Sequence, residues 1–290
     1  MTFQGAMTAL ITPFRGGKVD FDALTKLIEF QIDGGIQALV MVGTTGESAT
    51  LGVDEHLQVI RHACEVASSR VPVVAGAGAN STEEALHLSK QAHEAGADAL
   101  LQVCPYYNRP SQEGLYMHFK TIADHAKLPV VLYNVPHRTG SDLAFETTVR
   151  LSQHKNIVAL KDATGDMRRG SQIIDACGSD LIMLSGDDFT TFDLMALGGK
   201  GVVSVVSNVV PTKMVDMCNA LLKNDIQSAL SLHRDMMPLC ELLFEEPNPA
   251  PCKAAMELLE YCTKEIRLPL VEASDVLVAK LKTQLTKNGL

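Results

Sequence analysis

Eight short, β-prone apolar runs alternate with amphipathic stretches along most of this 290-residue chain, and that alternation leaves few folds open. The runs are Ala6–Ile11, Ala38–Val42, Val71–Ala75, Ala99–Val103, Val130–Tyr133, Ile157–Leu160, Leu181–Leu184 and Val202–Val205. Most are continuously apolar, as expected of strands buried on both faces, which is the condition of a parallel sheet covered by helices. Between them, Phe21, Leu24, Leu27, Ile28 and Ile32 fall at helical spacing after Asp20, a candidate N-cap, and Gly34-Gly35 ends that segment. Ser81 and Glu84 have the spacing of a capping box at the head of another helix. The segments Gly34–Val42 and Ala95–Val103 share a glycine, small residue and apolar-run pattern, a weak repeat consistent with stacked units.

Eight βα units predict a closed (β/α)8 TIM barrel, an α/β fold that usually takes about 250 residues. The surplus lies at the end. From Pro211 the pattern is helical only, over Met214–Leu222, Ile226–Phe244, Pro251–Tyr261 and Ser274–Leu285, with Pro247–Pro251 as a stiff turn at a helix start. The expected organisation is a catalytic barrel over residues 1–224 and a C-terminal helical region over 225–290. An open doubly wound sheet is the alternative, but no Gly-x-Gly-x-x-Gly follows the first run, so a dinucleotide site has little support.

Composition narrows the function. A hydrophobic content of 46% can fill a large core, and no uncharged apolar run approaches the ~20 residues of a membrane helix. Met1–Gly17 has no basic segment leading into an apolar one, so a cytoplasmic location is expected. The net charge of −9, with dispersed basic residues, argues against nucleic acid and for a small ligand. Seven cysteines without a Cys-x-x-Cys pair read as reduced, buried thiols. The nine histidines include no His-x-His or His-x-x-x-His spacing, so no metal site is expected.

In such a barrel the C-terminal strand ends converge on one rim. The rule collects Gly43–Glu47, Cys104–Asn108, Tyr133–Arg138, Lys161 and Ser185–Asp187. Lys161 closes the run Asn156–Leu160 and is the only lysine at the end of a strand-like segment. A lysine amine is almost wholly protonated at neutral pH, and apolar walls that penalise the ammonium would make it a nucleophile able to form a Schiff base. The bland reading is a snorkelling lysine paired with Asp162. Gly43-Thr44-Thr45-Gly46 offers hydroxyls and backbone amides to a carboxylate, or is a simple turn. Tyr106, Tyr107 and Tyr133 are candidate proton carriers or packing residues. Arg138 presents a fork to a second carboxylate, or pairs at the surface. His137, also on the rim, reads better as a turn residue.

The motifs Gly43–Leu51, Pro105–Pro110 and Tyr133–Gly140 strongly resemble the 4-hydroxy-tetrahydrodipicolinate synthase family, within the pyruvate-dependent class I aldolases. The likeness continues through Lys161–Gly165, Leu184–Asp188 and Glu246–Pro249 and covers nearly the whole chain. It implies condensation of pyruvate with L-aspartate 4-semialdehyde, in the diaminopimelate route to lysine, without a cofactor because the protonated imine is the electron sink. Lys161 would form the imine, and Tyr133, Thr44 and Tyr107 match the proton relay, Tyr107 reaching into a neighbouring subunit. Thr45, Gly186 and the backbone at Val203 would hold pyruvate, and Arg138 the semialdehyde carboxylate. The resemblance also implies a homotetramer, a dimer of dimers, and an allosteric L-lysine site at Ser48, Ala49, His56, Asn80, Glu84 and Tyr106. Val53 departs from the histidine of many lysine-sensitive members, and Asn80, Ser81 and Glu84 make equal sense as a helix start. The rivals are another aldolase with the same lysine chemistry, of N-acetylneuraminate lyase or 2-keto-3-deoxy sugar acid type, and a non-catalytic metabolite sensor. Arg138 favours the synthase over the first, and a reactive amine among three hydroxyls argues against the second.

Overall fold

The computed structural model describes residues 3–290 and contains all eight strands, closed into one parallel barrel. In chain order they are β1 (Gly5–Ala9), β2 (Ala38–Met41), β3 (Val73–Gly76), β4 (Ala99–Val103), β5 (Val130–Asn134), β6 (Ile157–Asp162), β7 (Ile182–Ser185) and β8 (Gly201–Ser204). Each pairs with its sequence neighbours, and β1 closes the ring against β8 through Gly5–Gly201, Ala6–Val202, Met7–Val203 and Thr8–Ser204.

Boundaries differ from the sequence reading where backbone partners change. β1 ends after Ala9: Leu10 N–H makes a last bond to Val40 O of β2 at 3.1 Å, and Ile11 N–H then turns away to Asn208 Oδ1 at 3.2 Å. β3 starts at Val73, since Pro72 has no N–H to continue the pairing. β6 extends past Leu160, because Lys161 and Asp162 still pair with Tyr133 and Asn134 of β5.

Strand alternation splits the core in two. Met7, Ala9, Ala38, Val40, Leu101, Val131, Tyr133, Ala159, Ala163, Leu184 and Val203 fill the barrel interior. Their neighbours Leu10, Leu39, Met41, Leu100, Leu132 and Leu160 face outward into the larger layer under the helices. In β6 the inward set is Ala159, Lys161, Ala163, so the period of two places the lysine inside.

Predicted helix signals recur as contacts. Ala23 N–H donates to Asp20 Oδ1 at 3.0 Å at the head of Phe21–Asp33. Ser81 Oγ accepts from Glu84 N–H at 3.4 Å at the head of Thr82–Glu94; among the described residues no bond from the Glu84 carboxylate completes the box. Gly35 at φ +80° and Gly96 at φ +98° make the same helix-to-strand turn, the physical content of the internal repeat. After β8 come only helices, Pro211–Leu222, Ile226–Leu243, Ala250–Leu258 and Asp275–Lys287, and the irregular segment 263–267 between the last two returns to the N-terminal loops, Thr263 Oγ1 donating to Phe14 O at 2.6 Å and Arg267 N–H to Glu47 Oε2 at 3.2 Å. A short hairpin, Phe14–Arg15 with Lys18–Val19, was not foreseen. No helix among the described residues is long and apolar enough to cross a membrane.

Candidate active site

Lys161 is 6% exposed, with its Nζ 3.9 Å from the centroid of the Tyr133 ring. Register explains the pairing: Lys161 stands directly opposite Tyr133 on adjacent parallel strands, and both point inward. Among the described residues no carboxylate lies within ion-pair distance of its amine. Asp162 turns away, accepting from Thr164 N–H at 3.1 Å and from Thr164 Oγ1 at 3.0 Å. The snorkelling pair with Asp162 is therefore absent among those residues; burial instead pushes the Asp162 carboxyl above its ordinary value.

A cavity of about 290 Å³ opens above the amine, lined by Gly43, Thr44 and Thr45 from the loop after β2, Tyr133 and Arg138 from β5 and its loop, and Gly186 and Asp187 after β7. These come from separate parts of the chain and meet only because the barrel closes. Gly186 packs hard on the lysine: a Cβ there would stand 3.0 Å from Lys161 Cε. Its N–H donates to Asp162 O at 2.7 Å. From the end of β8 the lining residue is Val205; Val203 lies deeper, in the inner cluster with Tyr133 and Leu184. His137 also lines the cavity, and burial followed by the charge of Arg138 lowers its basicity.

Tyr107 is elsewhere. It is 90% exposed, at φ +72°, and borders neither this cavity nor its neighbour.

A second cavity of about 340 Å³ shares Gly43, Thr44, Tyr133, Arg138 and Asn248 with the first, so the two adjoin. It brings together Ser48, Ala49, His56 and Tyr106. His56 Nε2 is 2.7 Å from Gly76 O, and burial lowers the pKa of its ring. Asn80 does not line this cavity but adjoins it, Nδ2 donating to Tyr106 O at 3.2 Å. Glu84 lies near enough that burial and its charge together push the Tyr106 phenol upward.

Sequence reasoning missed the contribution of the C-terminal region. Asn248 lines both cavities and donates from Nδ2 to Thr45 Oγ1 at 3.0 Å, across 203 positions. Its Pro247-Asn248-Pro249 turn was visible, but nothing local tells which loop such a turn will face.

The Dihydrodipicolinate synthetase family model matches residues 2–288 of the chain. The chain belongs to that family. The 4-hydroxy-tetrahydrodipicolinate synthase of Geobacter sulfurreducens is 48% identical over 279 residues, 96% of each chain. Among solved structures, the chloride-inhibited dihydrodipicolinate synthase of Acinetobacter baumannii complexed with pyruvate superposes with a TM-score of 0.97 at 46% identity, covering 99% of both chains. A synthase from Cyanidioschyzon merolae with lysine bound gives 0.96 at 39% identity, again over 99% of both.

Proposed function

We propose that this chain is a 4-hydroxy-tetrahydrodipicolinate synthase, a lyase that condenses pyruvate with L-aspartate 4-semialdehyde on the route to lysine. The observation that carries the reading is the buried Lys161 amine, without a carboxylate partner among the described residues, at the floor of a cavity with hydroxyl and guanidinium groups on its walls. Its lone pair attacks C2 of pyruvate; the carbinolamine loses water to give an imine, and loss of a C3 proton gives the enamine. The enamine carbon then adds to the semialdehyde aldehyde. Tyr133 and Thr44 carry protons between these intermediates and solvent, with Tyr107 supplied by a second copy. Thr45, Gly186 and the backbone near Val203 hold pyruvate, and Arg138 binds the semialdehyde carboxylate through its planar fork. A polyhydroxylated sugar-acid substrate would call for hydroxyl recognition there instead.

Two finer readings belong to the same proposal. Tyr107, almost fully exposed, makes chemical sense if it enters the site of a partner, which supports a dimer within a homotetramer. The cavity at Ser48, Ala49, His56 and Tyr106, with Asn80 and Glu84 beside it, suits L-lysine, with Glu84 facing an ammonium; the lysine-bound relative supports this. Residues 1–224 form the catalytic barrel in this reading, and 225–290 a helical region that braces its rim.

The test is borohydride reduction with pyruvate, followed by peptide mass mapping. The expected adduct is on the Lys161 peptide and is absent from Lys161→Ala. Label on another lysine, or full activity in the alanine variant, would reject the proposal.

A further inference from the structure

Among the described residues Lys253 is the most deeply buried charged side chain, fully shielded from solvent, and no step of the proposed chemistry uses it. It forms an ion pair with Glu47, itself buried, at the end of the Gly43–Glu47 motif. Its Nζ also donates to Glu265 O at 2.8 Å and sits 4.0 Å from the centroid of the Phe14 ring. The opposite contact on Glu47 comes from the same C-terminal segment: Arg267 N–H donates to Glu47 Oε2 at 3.2 Å. The Arg267 guanidinium grips Glu55 through two bonds of 2.8 Å, reaches Thr50 O at 2.9 Å, and lies 4.3 Å from the Phe14 centroid.

Glu47 has φ +56°, a left-handed conformation that a residue with a side chain adopts only where its surroundings impose it. That conformation turns the chain sharply. On one side of it lie Thr44 and Thr45, and Glu47 N–H closes the turn on Thr44 O at 3.1 Å. On the other side is the short helix Ser48–Thr50. Buried ion pairs contribute little net stability, because desolvation offsets attraction, so their better-attested use is to select one geometry. Here the geometry selected is that of the loop carrying the two threonines.

We infer that Glu47 is a positioning residue for pyruvate, clamped by Lys253 and Arg267 so that the C-terminal region sets the placement of Thr44 and Thr45. It touches no reacting atom. The inference rests on the pyruvate-imine reading, and the two separate experimentally, since wild-type trapping at Lys161 tests that reading alone.

The test is steady-state kinetics of Glu47→Gln, which keeps the shape and removes the charge. Loosening the loop raises pyruvate KM by roughly tenfold, the scale expected for sub-ångström misplacement of a positioning group. The semialdehyde KM stays within about twofold, because Arg138 stands on a different loop, and saturating pyruvate restores full trapping at Lys161. Glu55→Gln, at the half-exposed end of the network, is the second variant and raises pyruvate KM alone by about two- to threefold. If Glu47→Gln does not fold, Glu55→Gln decides. Equal changes in both KM values, or a lowered Tm with unchanged pyruvate KM, would make the network a brace of the fold only and overturn the inference.

Discussion

Gly186→Ala is the sharpest probe of the site, because the structure states what the added methyl would strike. A Cβ at that position stands 3.0 Å from Ala163 Cβ, 3.0 Å from Lys161 Cε and 3.1 Å from Lys161 Cγ. Carbon atoms rest comfortably at about 3.5–4.0 Å, so roughly half an ångström must be recovered. Ala163 Cβ is fixed to the backbone, and the lysine stem is the part able to move. The Tyr133 ring stands on its far side, so the amine shifts within a confined space. Misplacement on this scale costs about 10- to 100-fold in rate, or ~1.4–2.7 kcal/mol of barrier. Overpacking also costs about 1–3 kcal/mol of stability, so kinetics belong well below the variant's Tm. Imine formation, followed by rapid borohydride quench, is expected to slow by the same factor as turnover. Gly52→Ala, whose Cβ would meet nothing within 4 Å, is the control and leaves both unchanged. Wild-type imine kinetics in folded Gly186→Ala would refute the argument that contact at Gly186 aims the amine.

Arg138→Ala is expected to lower kcat/KM for the semialdehyde by about 10- to 100-fold, the worth of a charged hydrogen bond of ~1.5–3 kcal/mol, with imine formation intact; unchanged kinetics would remove Arg138 from substrate binding. L-Lysine titrated calorimetrically should bind the wild type, and Glu84→Ala should weaken it about tenfold through loss of the ammonium partner; equal affinity in both would displace the site. Burial lowers His118 to about 4, with Thr82 Oγ1 2.8 Å from its Nδ1. Between about pH 4 and 6.5 the unfolded chain therefore binds the proton that the folded chain refuses, and stability falls as pH falls across that window, by about 3 kcal/mol in all. Urea midpoints of His118→Phe should lack that component; the wild-type slope persisting in the variant would contradict it.

The barrel was legible because its strands are buried on both faces and so are continuously apolar, with glycine turns at Gly35 and Gly96 marking where helices end. The rim motifs were legible too, since strand ends in this fold converge. Continuous apolarity, however, conceals orientation. Nothing in Ile157–Leu160 says which alternate set faces inward, and a slip by one residue would have turned Lys161 out among the helices. The capping spacing at Ser81 and Glu84 matched a helix start, yet only the backbone half of that motif is made.

What the chain alone determined, then, was the succession of elements and the chemical groups at their ends, because periodicity and turn chemistry act over a few residues. Tertiary structure decided which of those groups meet. Tyr107 lies away from the cavity that its neighbours in sequence suggested, while Asn248 reaches Thr45 and Lys253 reaches Glu47 across about two hundred positions. Such meetings depend on ring closure and on where the last helices fold back, and a buried charge finds its partner only after desolvation by the whole core leaves it no other.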